Sequence, residues 1–279
     1  MAAVQDYISK ASGTVAVNYL SLRDMNATGG ATFNANNSVD LGNNTGWNIT
    51  TAAPLDLYWV GGTGNWDDPA HWAFTSGGAG GACLPTAYDN VFFDANSFNN
   101  SGQVVTINIG NAVCNNLNWT GSLHNPTFAG ASTNALRIYG FLTFISAMTN
   151  SFQGKVYFES LALGNTLVSA GQSFKNDVVF QGTGGWTLGD SLTTTQRIEF
   201  KSGSLVTDGK TVRCRIFIST ETNNRILNIA HSTIIIEDNN HETHWKVNGT
   251  NLQLYSFLST ILIKVTYGHH YTLNTSIAP

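Results

Sequence analysis

The sequence predicts an all-β fold, a chain coiled into a solenoid of stacked parallel rungs of about 20 residues. Three observations carry that expectation. Short β-branched triplets recur at near-constant spacing: Val156-Tyr157-Phe158, Val178-Val179-Phe180, Ile198-Glu199-Phe200, Ile216-Phe217-Ile218 and Ile234-Ile235-Ile236 begin 22, 20, 18 and 18 residues apart. A second series interleaves with them. Thr166-Leu167-Val168, Trp186-Thr187-Leu188, Leu205-Val206-Thr207, Leu227-Asn228-Ile229 and Trp245-Lys246-Val247 recur at steps of 20, 19, 22 and 18, which reads as two strands per rung. Finally, helical periodicity is nearly absent, and within the triplets two side chains point one way and one the other, the mark of strands packed on one face.

Taken in order, residues 1–50 read as the terminal rungs of a preceding β module. A strand is expected over Val15–Leu22, and Gly29-Gly30 and Asn43-Asn44 offer the positive-φ positions of tight turns. Trp47 is a large apolar plug. Residues 51–56, small and proline-bearing, form a junction. Residues 57–125 read as a tryptophan-rich start, with one helical turn capped by Asp67 or Asp68 ahead of Pro69, a flexible loop over 76–81, and strands at Val91–Phe93, Val104–Ile107 and Leu117–Trp119. Residues 126–279 continue the rungs. Because Val15–Leu22 has no strand before it and Tyr271 to Asn274 begins another rung, the chain is expected to be a fragment of a longer protein, stacking on neighbouring β-helix modules.

Composition narrows the function. Charged residues make up only 11% of the chain, against about 25% in ordinary soluble domains, so hydroxyls and amides dominate the polar surface. The net charge of −4 comes with no cluster of Lys or Arg, which argues against nucleic acid as a partner. No stretch reaches the length of a membrane span, and no signal peptide opens the chain. Gly61 to Gly64 precedes neither Lys-Ser/Thr nor a helix, so no phosphate-binding loop is expected, and no other cofactor signature is present.

Several clusters carry candidate chemistry. Trp59, Trp66 and Trp72, three tryptophans within fourteen residues, suit either a platform for sugar rings or a plug for the end of the solenoid core. Asp67, Asp68, Asp89 and Asp94 form the densest acidic group. They read either as calcium ligands or as turn caps. Asp177, Asp190 and Asp208 sit at turns, while Glu199 lies mid-strand near Arg197, Lys201 and Arg215. His241, His244, His269 and His270 lack the helical spacing of zinc hydrolases. Cys83 and Cys114 could pair in an oxidising compartment or remain buried thiols; Cys214 is an ordinary strand position. No catalytic residue is assigned.

The segment Tyr58–Trp72, the later Cys83-Leu84-Pro85-Thr86, Asp89-Asn90-Val91-Phe92-Phe93-Asp94-Ala95-Asn96-Ser97-Phe98 and Cys114-Asn115-Asn116-Leu117-Asn118-Trp119-Thr120-Gly121 resemble motifs of very large surface or secreted repeat proteins of Bacteroidota-type bacteria, with similar segments in phage and environmental sequences. The resemblance covers the chain to about residue 230. It implies a right-handed parallel β-helix, an extracellular or cell-surface location and an adhesin-like or scaffold role, with no activity established for the family. The expected function is therefore a non-enzymatic structural or adhesive segment that contacts glycans. A polysaccharide-degrading β-helix, similar to a phage tail-spike, and a carbohydrate-binding module are the alternatives.

Overall fold

The computed structural model describes residues 4–238, 244–265 and 270–275. They divide into two compact units, Met1–Leu55 and Asp56–Pro279. Both are built from stacked parallel strands, and the chain is a parallel β-solenoid of about 10 turns with roughly 22 residues per rung.

In the first unit, strands repeat in threes. Asp6–Ser9 pairs with Met25–Thr28, Thr14–Asn18 with Thr32–Asn36, and Ser21–Leu22 with Val39–Asp40, all parallel. The single strand expected over residues 15–22 is thus two, bent at Tyr19, whose φ is 58°. Gly29 and Asn43 supply left-handed turns as expected, whereas Gly30 is needed because a Cβ would sit 2.3 Å from the Ala11 carbonyl. Trp47 stacks edge-on against Phe33 at 5.3 Å and closes this small core.

The second unit has three faces rather than the two strands per rung that spacing suggests. Asp56–Trp59 starts a ten-stranded sheet, Ala112–Cys114 a seven-stranded one, and Gly64–Asn65 a third face made of a four-stranded and a six-stranded sheet. The spacing misplaces the last triplet of each series. Ile234–Ile236 belongs to the third face and Trp245–Val247 to the seven-stranded sheet, because a longer rung lets Leu227 pair with Leu254, 27 residues on. Strands of similar composition at similar spacing do not announce their face. A one-residue slip also separates pattern from pairing at the fourth triplet: Ile198 is opposite Phe217, so Ser219 rather than Ile218 points inward.

Register turns the apolar positions into continuous columns. Leu57, Val91, Leu117, Leu142, Leu167 and Leu188 lie opposite one another rung by rung, each at most 1% exposed. On the seven-stranded sheet Ile138, Phe158, Phe180 and Phe200 form an equally buried column, with the Phe158 and Phe180 rings stacked at 4.9 Å. In-register burial of like side chains holds the stack, since each ring removes apolar area from water at about 25 cal/mol per Å².

Where backbone pairing lapses, side chains replace it. The third face breaks between Thr149–Asn150 and Ser173–Phe174. Across the gap Asn150 donates from its backbone to Gln172 Oε1 at 3.1 Å and from Nδ2 to the Ser173 carbonyl at 3.2 Å. The outermost strands are closed by antiparallel pairs: Trp72–Ala73 covers Asp56–Trp59, and His270–Thr275 covers Ser259–Val265. Residues 271–275 therefore fold back as an antiparallel strand instead of starting another rung. Such a strand hides a free edge that would otherwise template pairing with other chains.

Arg225 is the one buried cation among the described residues, at 1% exposure. It begins a strand of the ten-stranded sheet and spends all five N–H groups inside: Nη1 on the Ser219 carbonyl and hydroxyl, both 2.6 Å, Nη2 on the Asn248 and Thr250 carbonyls at 3.0 and 2.6 Å, and Nε on the Asn223 carbonyl at 3.2 Å. Burial lowers the guanidinium pKa, with Glu221 acting in the opposite sense. It remains charged at neutral pH. Arg225→Met should lower unfolding stability by about 2–4 kcal/mol by stranding these carbonyls, comparable with the 3–5 kcal/mol loss expected for Phe180→Ala; denaturant titration would show both. A loss under about 0.5 kcal/mol for Arg225→Met would mean that the bonded rungs stand without it.

Candidate functional site

Glycines make room for the tryptophan-rich start. The 3-10 turn Pro69–His71, capped by Asp68 accepting from Ala70 N at 2.9 Å, aims His71 back at Trp59, and the two rings stack at 4.7 Å. His71 Nδ1 donates to the Val60 carbonyl at 2.7 Å, because a carbonyl only accepts. Gly64 has no substitute: a Cβ there would lie 2.0 Å from His71 Nε2. Trp59 donates to the Gly62 carbonyl at 2.7 Å and Trp72 to the Trp66 carbonyl at 2.8 Å, fixing both indoles inward. Trp59, Trp66 and Trp72 are 0%, 1% and 0% exposed, packed edge-to-face on one another and near Phe93. The sugar-platform reading is corrected accordingly, since no indole presents a face to a ligand. The loop over 76–81 runs tight against this cap rather than free: Gly81 and Ala82 donate to the Pro69 and Trp72 carbonyls at 2.8 and 2.9 Å.

The acidic group does not converge. Asp67 exchanges hydrogen bonds with Asn108, Asp68 caps the 3-10 turn, Asp89 accepts from Thr86 N and Oγ1 at 2.8 and 2.6 Å, and Asp94 accepts from Asn96 N at 2.9 Å. Among the described residues no three His, Cys, Asp or Glu side chains gather as metal ligands, so the calcium reading gives way to local capping. All three cysteines are free thiols, Cys83 exposed and Cys114 and Cys214 buried, which corrects the Cys83–Cys114 pairing. Burial, with the Asp89 charge, raises the thiol pKa of Cys114, and burial pushes Cys214 up to about 12. His241, Glu242 and His269 lie outside the described residues.

Charge does gather elsewhere, on the outer face of the seven-stranded sheet. Alternation along Lys155–Phe158 and Arg197–Phe200 buries Val156, Phe158, Ile198 and Phe200 and turns Lys155, Tyr157, Arg197 and Glu199 outward. Register then stacks Lys155, Asp177 and Arg197 in one column, and Arg137, Tyr157, Val179, Glu199, Ile218 and Lys246 in the next. Lys155 Nζ meets Asp177 Oδ2 at 2.8 Å, and Asp177 Oδ1 accepts from Arg197 N at 3.2 Å, so one carboxylate ties three rungs. Lys201 Nζ meets Glu199 Oε2 at 3.0 Å. Arg137 Nη1 reaches the buried Glu159 Oε1 at 2.7 Å, which also accepts from Gln181 Nε2, while its guanidinium lies over the Tyr157 ring at 4.2 Å. Alternating sign avoids stacking like charges at the rung spacing of about 4.8 Å.

Sequence reading placed Glu199, Arg197 and Lys201 together, and they are together; Arg215 sits at the corner before Ile216, on the next rung. It missed Arg137, Lys155, Tyr157 and Glu159; Asp177 sits at a turn beside Asn176 as expected, and from that corner it reaches Lys155. The available signal was the position just before, or in the middle of, each recurring triplet. No protein-family model, curated protein or solved structure matches the chain. Fold and surface together define a parallel β-helix repeat protein with ion pairs on the seven-stranded sheet and, where Arg213 and Lys264 meet Glu237, on the third face.

Three outcomes check this assignment. Trp59→Ala, Trp66→Ala or Trp72→Ala should each cost about 3–5 kcal/mol in denaturant unfolding, as core truncations do. A thiol reagent should label Cys83 alone in the native protein and all three cysteines in denaturant. The Lys155 pKa is raised chiefly by its hydrogen bond to Asp177, against partial desolvation, so the pair stabilises the fold fully below about pH 10.5 and loses that contribution as pH rises through the higher folded value. The stability gap between wild type and Lys155→Met should accordingly narrow as pH rises into strong alkali.

Proposed function

We propose that the chain is a non-enzymatic structural and adhesive segment of an extracellular or cell-surface repeat protein, whose second unit presents one lateral face to glycans. The single observation that carries the reading is the division of labour between the surfaces of the rung. Inward columns are spent on apolar stacking, while ion pairs lace the outside of the sheets: Arg213 and Lys264 meet Glu237 on the third face, and the fuller set lies on the outer face of the seven-stranded sheet. Each carboxylate of that face is engaged: Asp177 with Lys155, Glu199 with Lys201 and Glu159 with Arg137. Carboxylates neutralised by adjacent cations suit recognition better than general acid–base work, which needs one group held protonated near neutral pH.

The alternative, a polysaccharide-degrading β-helix, draws support from the same residues, since Asp177 and Glu199 lie outward on adjacent rungs of one face. A screen of the purified chain against bacterial, algal and plant polysaccharides separates the two when it records both retention and the release of new reducing or unsaturated ends. Retention without release is expected. Release abolished by Asp177→Asn or Glu199→Gln would establish the degrading enzyme instead, and neither retention nor release would remove glycan contact and leave a purely structural rung stack.

A further inference from the structure

We infer that the outer face of the seven-stranded sheet is a binding surface for an extended anionic polysaccharide, one carrying uronate carboxylates, laid along the solenoid axis. This deepens the adhesive reading and rests on it. The argument begins with where charge sits. The chain carries −4 overall, yet the outward columns and their corner bring together Arg137, Lys155, Arg197, Lys201 and Lys246 against only Glu159, Asp177 and Glu199. Five cations against three carboxylates leave this face at +2 while the rest of the chain carries −6. From Asp56 to Leu136 there are five aspartates and neither a lysine nor an arginine, so the basic stretch begins where this ladder begins.

Geometry then selects an extended polymer over a small ion. The cations are spread over four rungs of the sheet instead of converging on a point, and each rung advances the face by about 4.8 Å, a length comparable with one pyranose residue. Lys155 and Arg197 stand two rungs apart in one column, with Asp177 between them. Tyr157 lies outward among these cations, under the Arg137 guanidinium, and cations fanned over an outward sheet are what a sugar with a carboxylate substituent matches. A polyanion also releases its condensed counterions on meeting such a face, a gain unavailable to a neutral glycan.

The test uses the full chain on immobilised polygalacturonate and on immobilised dextran, a neutral glucan. Wild type should be retained on polygalacturonate at low ionic strength and released near 1 M salt, where the screening length falls to about 3 Å. Arg197→Gln with Lys201→Gln should weaken binding about tenfold. Glu199→Gln, which removes a competing carboxylate, should strengthen it severalfold, a direction that a merely structural role does not produce. Lys210→Gln, on a loop outside the sheet, should bind as wild type. Unchanged thermal melting of each variant shows that it is folded. Equal retention on dextran, or binding indifferent to Glu199→Gln and to the double variant, overturns this inference while leaving an adhesive segment standing; release of sugar ends overturns the adhesive reading itself.

Discussion

The structure depends on one constraint, that a parallel rung must place its inward side chain directly against the same position of the rungs before and after it. Backbone pairing sets the spacing, and like residues then stack: leucines along the ten-stranded sheet, phenylalanines along the seven-stranded one. A polar residue in such a column is costly unless its neighbours satisfy it. Ser219 shows how this is managed. It stands where Phe200 and Phe180 would lead one to expect an aromatic ring, and the buried Arg225 fills the space and bonds its hydroxyl. Buried hydroxyls at the corner between the ten-stranded sheet and the third face follow the same logic, as in the 2.6 Å bond from Thr207 to Ser232.

The same constraint governs the outside. Side chains that stack at rung spacing repel if they carry like charge, so a charged outer face must alternate sign, and Lys155, Asp177 and Arg197 do. Amides solve the problem differently, donating along the column: Asn90 to Asp56 at 2.8 Å, and Asn116 to Asn90 at 2.6 Å. Asparagine is its own complement, which explains how a chain with 11% charged residues still covers its exterior with satisfied polar groups. Ion pairs are then a local choice, made on the seven-stranded sheet and again on the third face, where Arg213 and Lys264 meet Glu237.

The solenoid was legible in the sequence because its period is written in apolar triplets, and strand positions such as Val104–Ile107 and Val178–Phe180 coincide with those triplets. The number of faces was not legible. Strands of the third face, such as Leu192–Thr194, are short and partly polar, and they contribute one or two inward residues each, too few to register as a separate series. The buried fate of Trp59, Trp66 and Trp72 was one of two readings, and what decides it is steric. Gly64 admits His71, and His71 covers Trp59. The charged face was half visible through Glu199 and its neighbours, but Arg137, Lys155 and Asp177 join it only through registers of 20 and 22 residues. A spacing that varies from rung to rung hides a column until pairing is known.

If stacking in register is what holds the fold, one whole rung is dispensable and part of a rung is not. Removing residues 178–197 joins Asp177 to Ile198, whose neighbours already pair in register, so every later strand moves down by one turn. The measurement is the far-ultraviolet circular dichroism and cooperative thermal unfolding of that deletion, beside a deletion of 178–187 that puts each later column out of phase. The account predicts a β spectrum and a single transition for the first and collapse for the second. Equal loss of structure in both would contradict it.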